Sequence, residues 1–304
     1  MSFTVSKITV GSTDNIHTLR GKIYIPDIEP KGILHIVHGM TEHIERYDSF
    51  MGKVCENGYI VFGYDHLGHG KTADSDSELG FIAQKYGYKY LIDDVARFSA
   101  EVATQYPTLP LYLFGHSMGS FIVRLAAAKY PKLYKKLIIC GTAGKNPLAK
   151  VGITLANALK KIKGEKYISD FLINMAFGSY NKKFDGDPKY SWLTKDEAII
   201  EKYKNDKFCT FKFTVSAMAD LITLIDLCNK DSWYKSIQTQ MPILLISGEL
   251  DPVGNYSKGV REVYNKLKKQ NANVKIKLFK DCRHEILNDS CKDEATAEIL
   301  RFIK

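Results

Sequence analysis

The sequence predicts an α/β protein: a mostly parallel sheet of about eight strands, helices on both faces, and one inserted helical segment. Three observations predict it. Short, continuously apolar runs bounded by turn residues recur through the first half and again near the end, as strands buried on both faces require. Amphipathic helical patterns alternate with those runs, the rhythm of repeated βα units. The length, 304 residues, suits one large domain with an insertion, or two domains.

Taken in order, Thr4 to Val10 and Lys22 to Ile25 read as strands with no helix between them, hence an antiparallel edge. Ile33 to Val37, Tyr59 to Tyr64, Leu111 to Phe114 and Leu137 to Cys140 read as core strands. Helical patterns lie between them, around Tyr47 to Glu56, Tyr88 to Tyr106 and Met118 to Lys129. The rhythm returns with strands Ile243 to Ser247 and Val274 to Phe279, and helices Tyr256 to Lys269 and Asp293 to Ile303. In between the strand signal disappears and the pattern is helical. The expected organisation is therefore a core over residues 1–143, a helical insertion over 144–234, and the rest of the core over 235–304. Within the insertion, Leu148, Val151, Leu155, Leu159 and Ile162 recur at helical spacing. That predicts an apolar stripe packed on the core, or a lid resting on lipid with Lys160, Lys161 and Lys163 beside it.

Composition narrows the function. Hydrophobic residues are 45% and charged residues 25%, which excludes disordered and coiled-coil classes. The net charge is +9, but only seven of the 43 basic residues are Arg. Guanine and phosphate readers favour Arg, so a solvated basic surface is expected rather than a nucleic-acid partner. Weak attraction to anionic lipid is the other use of such a surface. The six Cys, at 55, 140, 209, 228, 282 and 291, form no CxxC pair. They are expected to be free thiols of a reducing compartment. The N-terminus lacks the basic and apolar regions of a signal peptide, and no apolar run is long enough to span a bilayer. The expected location is the cytoplasm, with peripheral membrane contact left open.

The chemistry concentrates at Gly115-His116-Ser117-Met118-Gly119, between a strand and a helix. A Ser on such a sharp turn is a nucleophile elbow, and the helix start behind it offers N–H groups to a developing oxyanion. A second oxyanion N–H comes from the loop after an earlier strand, which here is His38-Gly39-Met40-Thr41-Glu42-His43, so Met40 is the candidate. His38, Glu42 and His43 match no metal-ligand spacing. Of eight His, only His284 follows Ser117, as the chain order nucleophile, acid, base demands. The acid belongs after the preceding strand: Asp251 is favoured, with Glu249 the near alternative. His66 and His69, in the glycine-rich loop Tyr64 to Gly70, read as structural, with Asp65 capping nearby amides.

These motifs together resemble a known family. His38-Gly39, Glu42-His43 and Arg46-Tyr47, then Asp65-His66 with Gly68-His69-Gly70, then the elbow, are similar to the monoacylglycerol lipase and lysophospholipase branch of the α/β-hydrolases. Phe177 to Asn181 and Asp220-Leu221 are similar to bacterial lysophospholipases. The resemblance implies an α/β-hydrolase fold with a helical cap. It implies a triad of Ser117, Asp251 and His284, an oxyanion hole from the Met40 and Met118 amides, and Glu42 and Arg46 near a glycerol-like group. No metal and no cofactor are implied. The expected reaction is serine-dependent hydrolysis of fatty acyl esters, of glycerol first and lysophospholipid next. A short-chain carboxylesterase, a thioesterase or a ligand-binding receptor on the same scaffold are the alternatives.

Overall fold

The computed structural model describes residues 2–304. Its strands are β1 (Phe3–Gly11), β2 (Thr18–Pro26), β3 (Ile33–Val37), β4 (Ile60–Tyr64), β5 (Leu111–His116), β6 (Lys136–Cys140), β7 (Ile243–Gly248) and β8 (Val274–Phe279). They form one eight-stranded sheet in the order β1-β2-β4-β3-β5-β6-β7-β8. β1 and β2 make the expected antiparallel edge, with Phe3 opposite Pro26 and Gly11 opposite Thr18. β2 also runs antiparallel to β4, and every later pairing is parallel.

Helices cover both faces, which is why β3, β4, β5 and β7 are buried along their whole length. The helices of the first half are α1 (Asp48–Glu56), α2 (Gly87–Gln105) and α3 (Met118–Lys129). Those of the second are α4 (Ala149–Lys163), α5 (Asp170–Phe177), α6 (Glu197–Lys204), α7 (Val215–Cys228), α8 (Asp231–Ser236), α9 (Lys258–Lys269) and α10 (Lys292–Ile303). Phe50, Met51 and Val54 of α1 share one apolar cluster with Ile299 and Ile303 of α10. α2, α3, α7 and α9 contribute to the cluster on the other face.

The chain steps outward from β3 to β4 and then returns past β3 to β5. The loops leaving the C-terminal ends of β3 and β5 therefore diverge, opening the crevice in which open α/β sheets hold ligands. Those two loops carry Met40 and Ser117.

Helices α4 to α8 all fall between β6 and β7. Here the structure departs from the predicted stripe. The seam of α4 against α7 is made by small residues: Ala149, Gly152 and Ala156 are buried. A Cβ on Gly152 would lie 3.1 Å from Ile222. Leu155 and Leu159 are half-buried against the core, whereas Leu148, Val151 and Ile162 are 66%, 60% and 75% exposed. Spacing identified the helix, but close approach of α4 to α7 put its smallest side chains inward. Lys160 also leaves the expected basic group, since its Nζ bonds the Gln84 carbonyl and Ser216 Oγ.

The cysteines divide. Cys55, Cys140, Cys209 and Cys228 are free and buried. Cys282 and Cys291 are joined as a disulfide, Cα atoms 6.5 Å apart, which corrects the expectation of free thiols at that pair. The pairing lies within one loop, which turns back on itself between β8 and α10. No helix among the described residues is long and apolar enough to cross a membrane.

Candidate active site

The elbow is built by glycines on either side of the Ser. Ser117 has φ 53° and ψ −120°, a region costly for any residue with a Cβ. The surroundings hold it there. Its N–H donates to the Cys140 carbonyl at 3.0 Å. A Cβ on Gly119 would meet the Val37 carbonyl oxygen at 2.1 Å, and one on Gly115 would meet the Gly119 carbonyl oxygen at 2.4 Å. Helix α3 and strand β3 thus approach at a distance that only glycine permits. Met118 is the first residue of α3, where an N–H has no acceptor within the helix.

The loop after β3 lies against the Ser. A Cβ on Gly39 would fall 2.9 Å from Ser117 Cβ. Its backbone is held at two points. The Gly39 N–H donates to Glu42 Oε1. The His66 N–H donates to His38 Nε2 at 3.0 Å, so the His38 proton sits on Nδ1 and is donated to the Gly39 carbonyl at 2.8 Å. A trans peptide points its C=O and the following N–H in opposite directions. Holding the Gly39 oxygen therefore fixes the direction of the Met40 N–H. Both ring nitrogens of His38 and one oxygen of Glu42 thereby hold this loop. His66 and His69 are fully buried, and burial pulls both imidazoles down, His69 to about 3. Asp65 accepts the Ile44 and Lys71 amides at 2.8 and 2.7 Å.

Glu42 and Arg46 lie in one buried network. Arg46 Nη1 donates to Glu42 Oε2 at 3.0 Å, and Tyr47 OH donates to Oε1 at 3.0 Å. Arg46 also forks onto Glu285 at 2.8 and 2.7 Å. His116 Nδ1 lies 3.2 Å from Glu42 Oε1. Burial opposes charge on Glu42, but His116 and Arg46 outweigh it and hold the carboxyl well below its ordinary value. Burial likewise pulls His116 down, and the Glu42 contact more than reverses this, raising it.

The remaining two candidates come from the β7 and β8 loops. Asp251 is fully buried; it accepts the Val253 amide at 2.8 Å and the Ser247 hydroxyl at 3.2 Å. His284 Nδ1 stands 2.9 Å from Asp251 Oδ1, an ion-pair distance with the N–H not yet aligned for a hydrogen bond. The same ring crosses Gly141, where a Cβ would lie 3.1 Å from His284 Cε1. It sits 4.7 Å from the His116 ring. His284 Nε2 has no hydrogen-bond partner among the described residues. Glu249 makes hydrogen bonds among the described residues only through its backbone, with Phe279 and Ser257.

Sequence reasoning passed over three residues here. Glu285 is the second carboxylate on Arg46, and its position beside His284 was the only available signal. His116 bridges Glu42 to the His284 carbonyl, 3.3 Å from Nε2. Trp192, from the insertion, lies 5.1 Å from the His284 ring and accepts the His284 N–H at 3.4 Å. No local pattern marks it.

A buried acid, an imidazole and a strained Ser at the crevice of an α/β sheet define a serine hydrolase class. Comparison with known proteins places the chain within it. Residues 28–291 match the family described as serine aminopeptidase, S33. The monoacylglycerol lipase of Mycolicibacterium smegmatis is 24% identical over 92% of this chain and 93% of its own. A thermostable carboxyl esterase of Bacillus coagulans, solved in complex with glycerol, superimposes with a TM-score of 0.91. It is 31% identical and covers 99% of this chain and 98% of its own. Monoglyceride lipase of Saccharomyces cerevisiae shares the fold, with a TM-score of 0.76 at 18% identity, covering 95% and 92% of the two chains. The chain belongs to the S33 hydrolase family of α/β-hydrolases. It is a monoacylglycerol lipase-like carboxylic-ester hydrolase.

Proposed function

We propose that the protein cleaves monoacylglycerols, with lysophospholipids as second substrates, through an acyl-enzyme on Ser117. The observation that carries this reading is the convergence of three loops. The strained Ser117 faces Gly39, and His284 crosses Gly141 with Asp251 behind it. Ser117 Oγ attacks the acyl carbonyl and His284 takes its proton. The C–O bond to glycerol then breaks, and the same proton passes to the departing glycerol oxygen. Water, deprotonated by His284, releases the fatty acid. Asp251 orients the imidazole and stabilises its cation. The Met40 and Met118 amides receive the oxyanion, and Glu42 and Arg46 shape the polar end of the site by fixing the loop that carries Met40.

Helices 144–234 act as the cap in this reading. Val151 and Ile162 of α4, with Ile168, Phe171 and Met175 around α5, leave an apolar surface open to water. Removing each such side chain from water contributes about 1.5–3 kcal/mol, enough together for a lipid aggregate to hold the cap. A short-chain carboxylesterase is the second reading, favoured by the likeness to the Bacillus coagulans enzyme.

A fluorophosphonate probe should label Ser117, and Ser117→Ala should fold normally yet lose about 10³-fold or more in kcat. Monooleoylglycerol should be turned over faster than butyryl or acetyl p-nitrophenyl esters. The reverse order would favour the second reading, and undiminished turnover by Ser117→Ala would remove the nucleophile.

A further inference from the structure

We infer that His43, Asp206 and Cys209 form a binding site for a divalent transition ion of the zinc class, joining the insertion to the loop that carries Met40. One donor atom from each residue lies within 4.8 Å of the other two. His43 immediately follows Glu42, while Asp206 and Cys209 follow α6. The set was invisible in the sequence because its halves lie 163 residues apart. It departs from the expectation of no metal, which rested on the spacing of His38, Glu42 and His43 and on the family resemblance.

The donors are held as ligands need to be. Asp206 opens a tight turn: its carbonyl accepts the Cys209 N–H at 2.9 Å and its Oδ1 accepts the Phe208 N–H at 2.8 Å. That commits one carboxylate oxygen to the backbone and turns the other to His43 Nε2, 2.8 Å away. Such outer contacts orient ligands in metal sites. The Phe208 ring packs edge-on to the His43 imidazole at 5.7 Å. His43 and Cys209 are buried, at 7% and 2% exposure. The Asp206 side chain is 31% exposed, which leaves a path for an ion and room for a water as fourth ligand.

Charge and donor type choose the ion. Thiolate and carboxylate together balance a dication. Burial holds the Cys209 thiol above its ordinary value, against the pull of Arg46, so the thiolate forms only as the ion binds. A mixed sulfur, nitrogen and oxygen set suits zinc or cobalt and is wrong for magnesium or calcium. Tetrahedral bonds of about 2.0–2.3 Å separate ligand atoms by roughly 3.5 Å. The His43–Asp206 contact therefore opens by less than about 1 Å as the ion enters. The Cys209 thiol gives up one proton to solvent as the sulfur–metal bond forms.

The test titrates cobalt(II) into the full chain kept reduced at its free thiols. The expected result is a thiolate-to-cobalt charge-transfer band that saturates at one ion per chain, is bleached by zinc(II), and is absent from Cys209→Ser. Zinc should raise the melting temperature of the wild type and not of Cys209→Ser. Asp206→Asn, a partly exposed position, should weaken cobalt binding at least tenfold and serves if loss of the thiol harms folding. His17, Asp74 and Glu78 form a second cluster that contains no sulfur. A melting shift without a thiolate band would therefore assign binding to oxygen and nitrogen donors and overturn the site. A band of full strength in Cys209→Ser would overturn it equally. These readouts do not depend on esterase activity, so they stand apart from the substrate proposal.

Discussion

Two carboxylates follow β7, and the spacing of the motif does not distinguish them. Asp251 is buried and faces the His284 ring, whereas Glu249 offers only its backbone to the surrounding loops. An amide at the acid position favours the wrong imidazole tautomer, which costs about 10⁴-fold in such triads. Asp251→Asn should therefore lose activity on that scale, and Glu249→Gln should stay within a few-fold. Steady-state rates on one soluble ester decide the matter, and opposite results for the two variants would exchange their roles. Glu42 illustrates the other limit of sequence reading. Its motif was legible, but its work was not. The structure surrounds its carboxylate with Gly39, Arg46, Tyr47 and His116, and His116 comes from a distant segment of the chain, 74 positions away.

At the scale of elements, α7 meets the start of α2 through a carboxylate. Asp220 is 4% exposed, its Oδ2 has no hydrogen-bond partner among the described residues, and a Cβ on Gly87 would lie 2.4 Å from that oxygen. Burial raises its carboxyl to about 7, against the opposing pull of the Tyr88 and Gly87 amides and Lys160. The folded protein therefore holds this proton more tightly than the unfolded chain, whose value is near 3.8. The resulting stability is complete below the unfolded value and is lost as pH rises from about 4 to about 7. Its size is on the order of a few kcal/mol. Asp220→Asn should abolish that loss and be the more stable protein at pH 8. Urea midpoints at pH 5 and pH 8 for both proteins give the answer, and a parallel pH dependence in the two would refute it. The sequence marked Asp220-Leu221 by resemblance alone. The reason for an acid there appears only when α7 is laid on α2.

At the scale of the whole molecule, the chain is basic and carries exposed lysines beside exposed apolar residues at the end of α4. The chain carries +9. Lys161 and Lys163 lie exposed at the end of α4, beside Ile162. Coulomb attraction draws such a surface toward anionic lipid, and apolar burial then holds it there. Phosphatidylglycerol vesicles should raise turnover of a long-chain monoacylglycerol at low salt. The gain should vanish near 1 M salt, where the screening length falls to about 3 Å. Val151→Asp with Phe171→Asp should remove the gain and leave acetyl ester cleavage intact, because both residues project from the insertion rather than from the loops of Ser117, Asp251 and His284. An equal fall on both substrates would make this surface a structural support. Leu155 and Leu159 are unsuitable for the test because they pack against the core.

What the sequence determined by itself was whatever short range decides. Apolar runs of strand length, helical periodicity, and glycines around a Ser are all written within a few residues of one another. They specify the sheet, its helices and the elbow before any long-range contact is known. The parallel character of the sheet followed from connections that alternate strand and helix, whereas its strand order appeared only in the structure. Only the tertiary structure decided contacts between distant segments. It turned Gly152 and Ala156 of α4 toward α7 and left Leu148, Val151 and Ile162 of the predicted stripe exposed, because the nearness of α7 leaves no room for larger side chains at that seam. Even within one loop it paired Cys282 with Cys291, nine positions apart, by turning the loop back before α10. It set Glu285 on Arg46, 239 positions away in the chain, and Trp192 on His284. Such contacts depend on where whole elements come to rest, a sum over the packed core that no local pattern encodes.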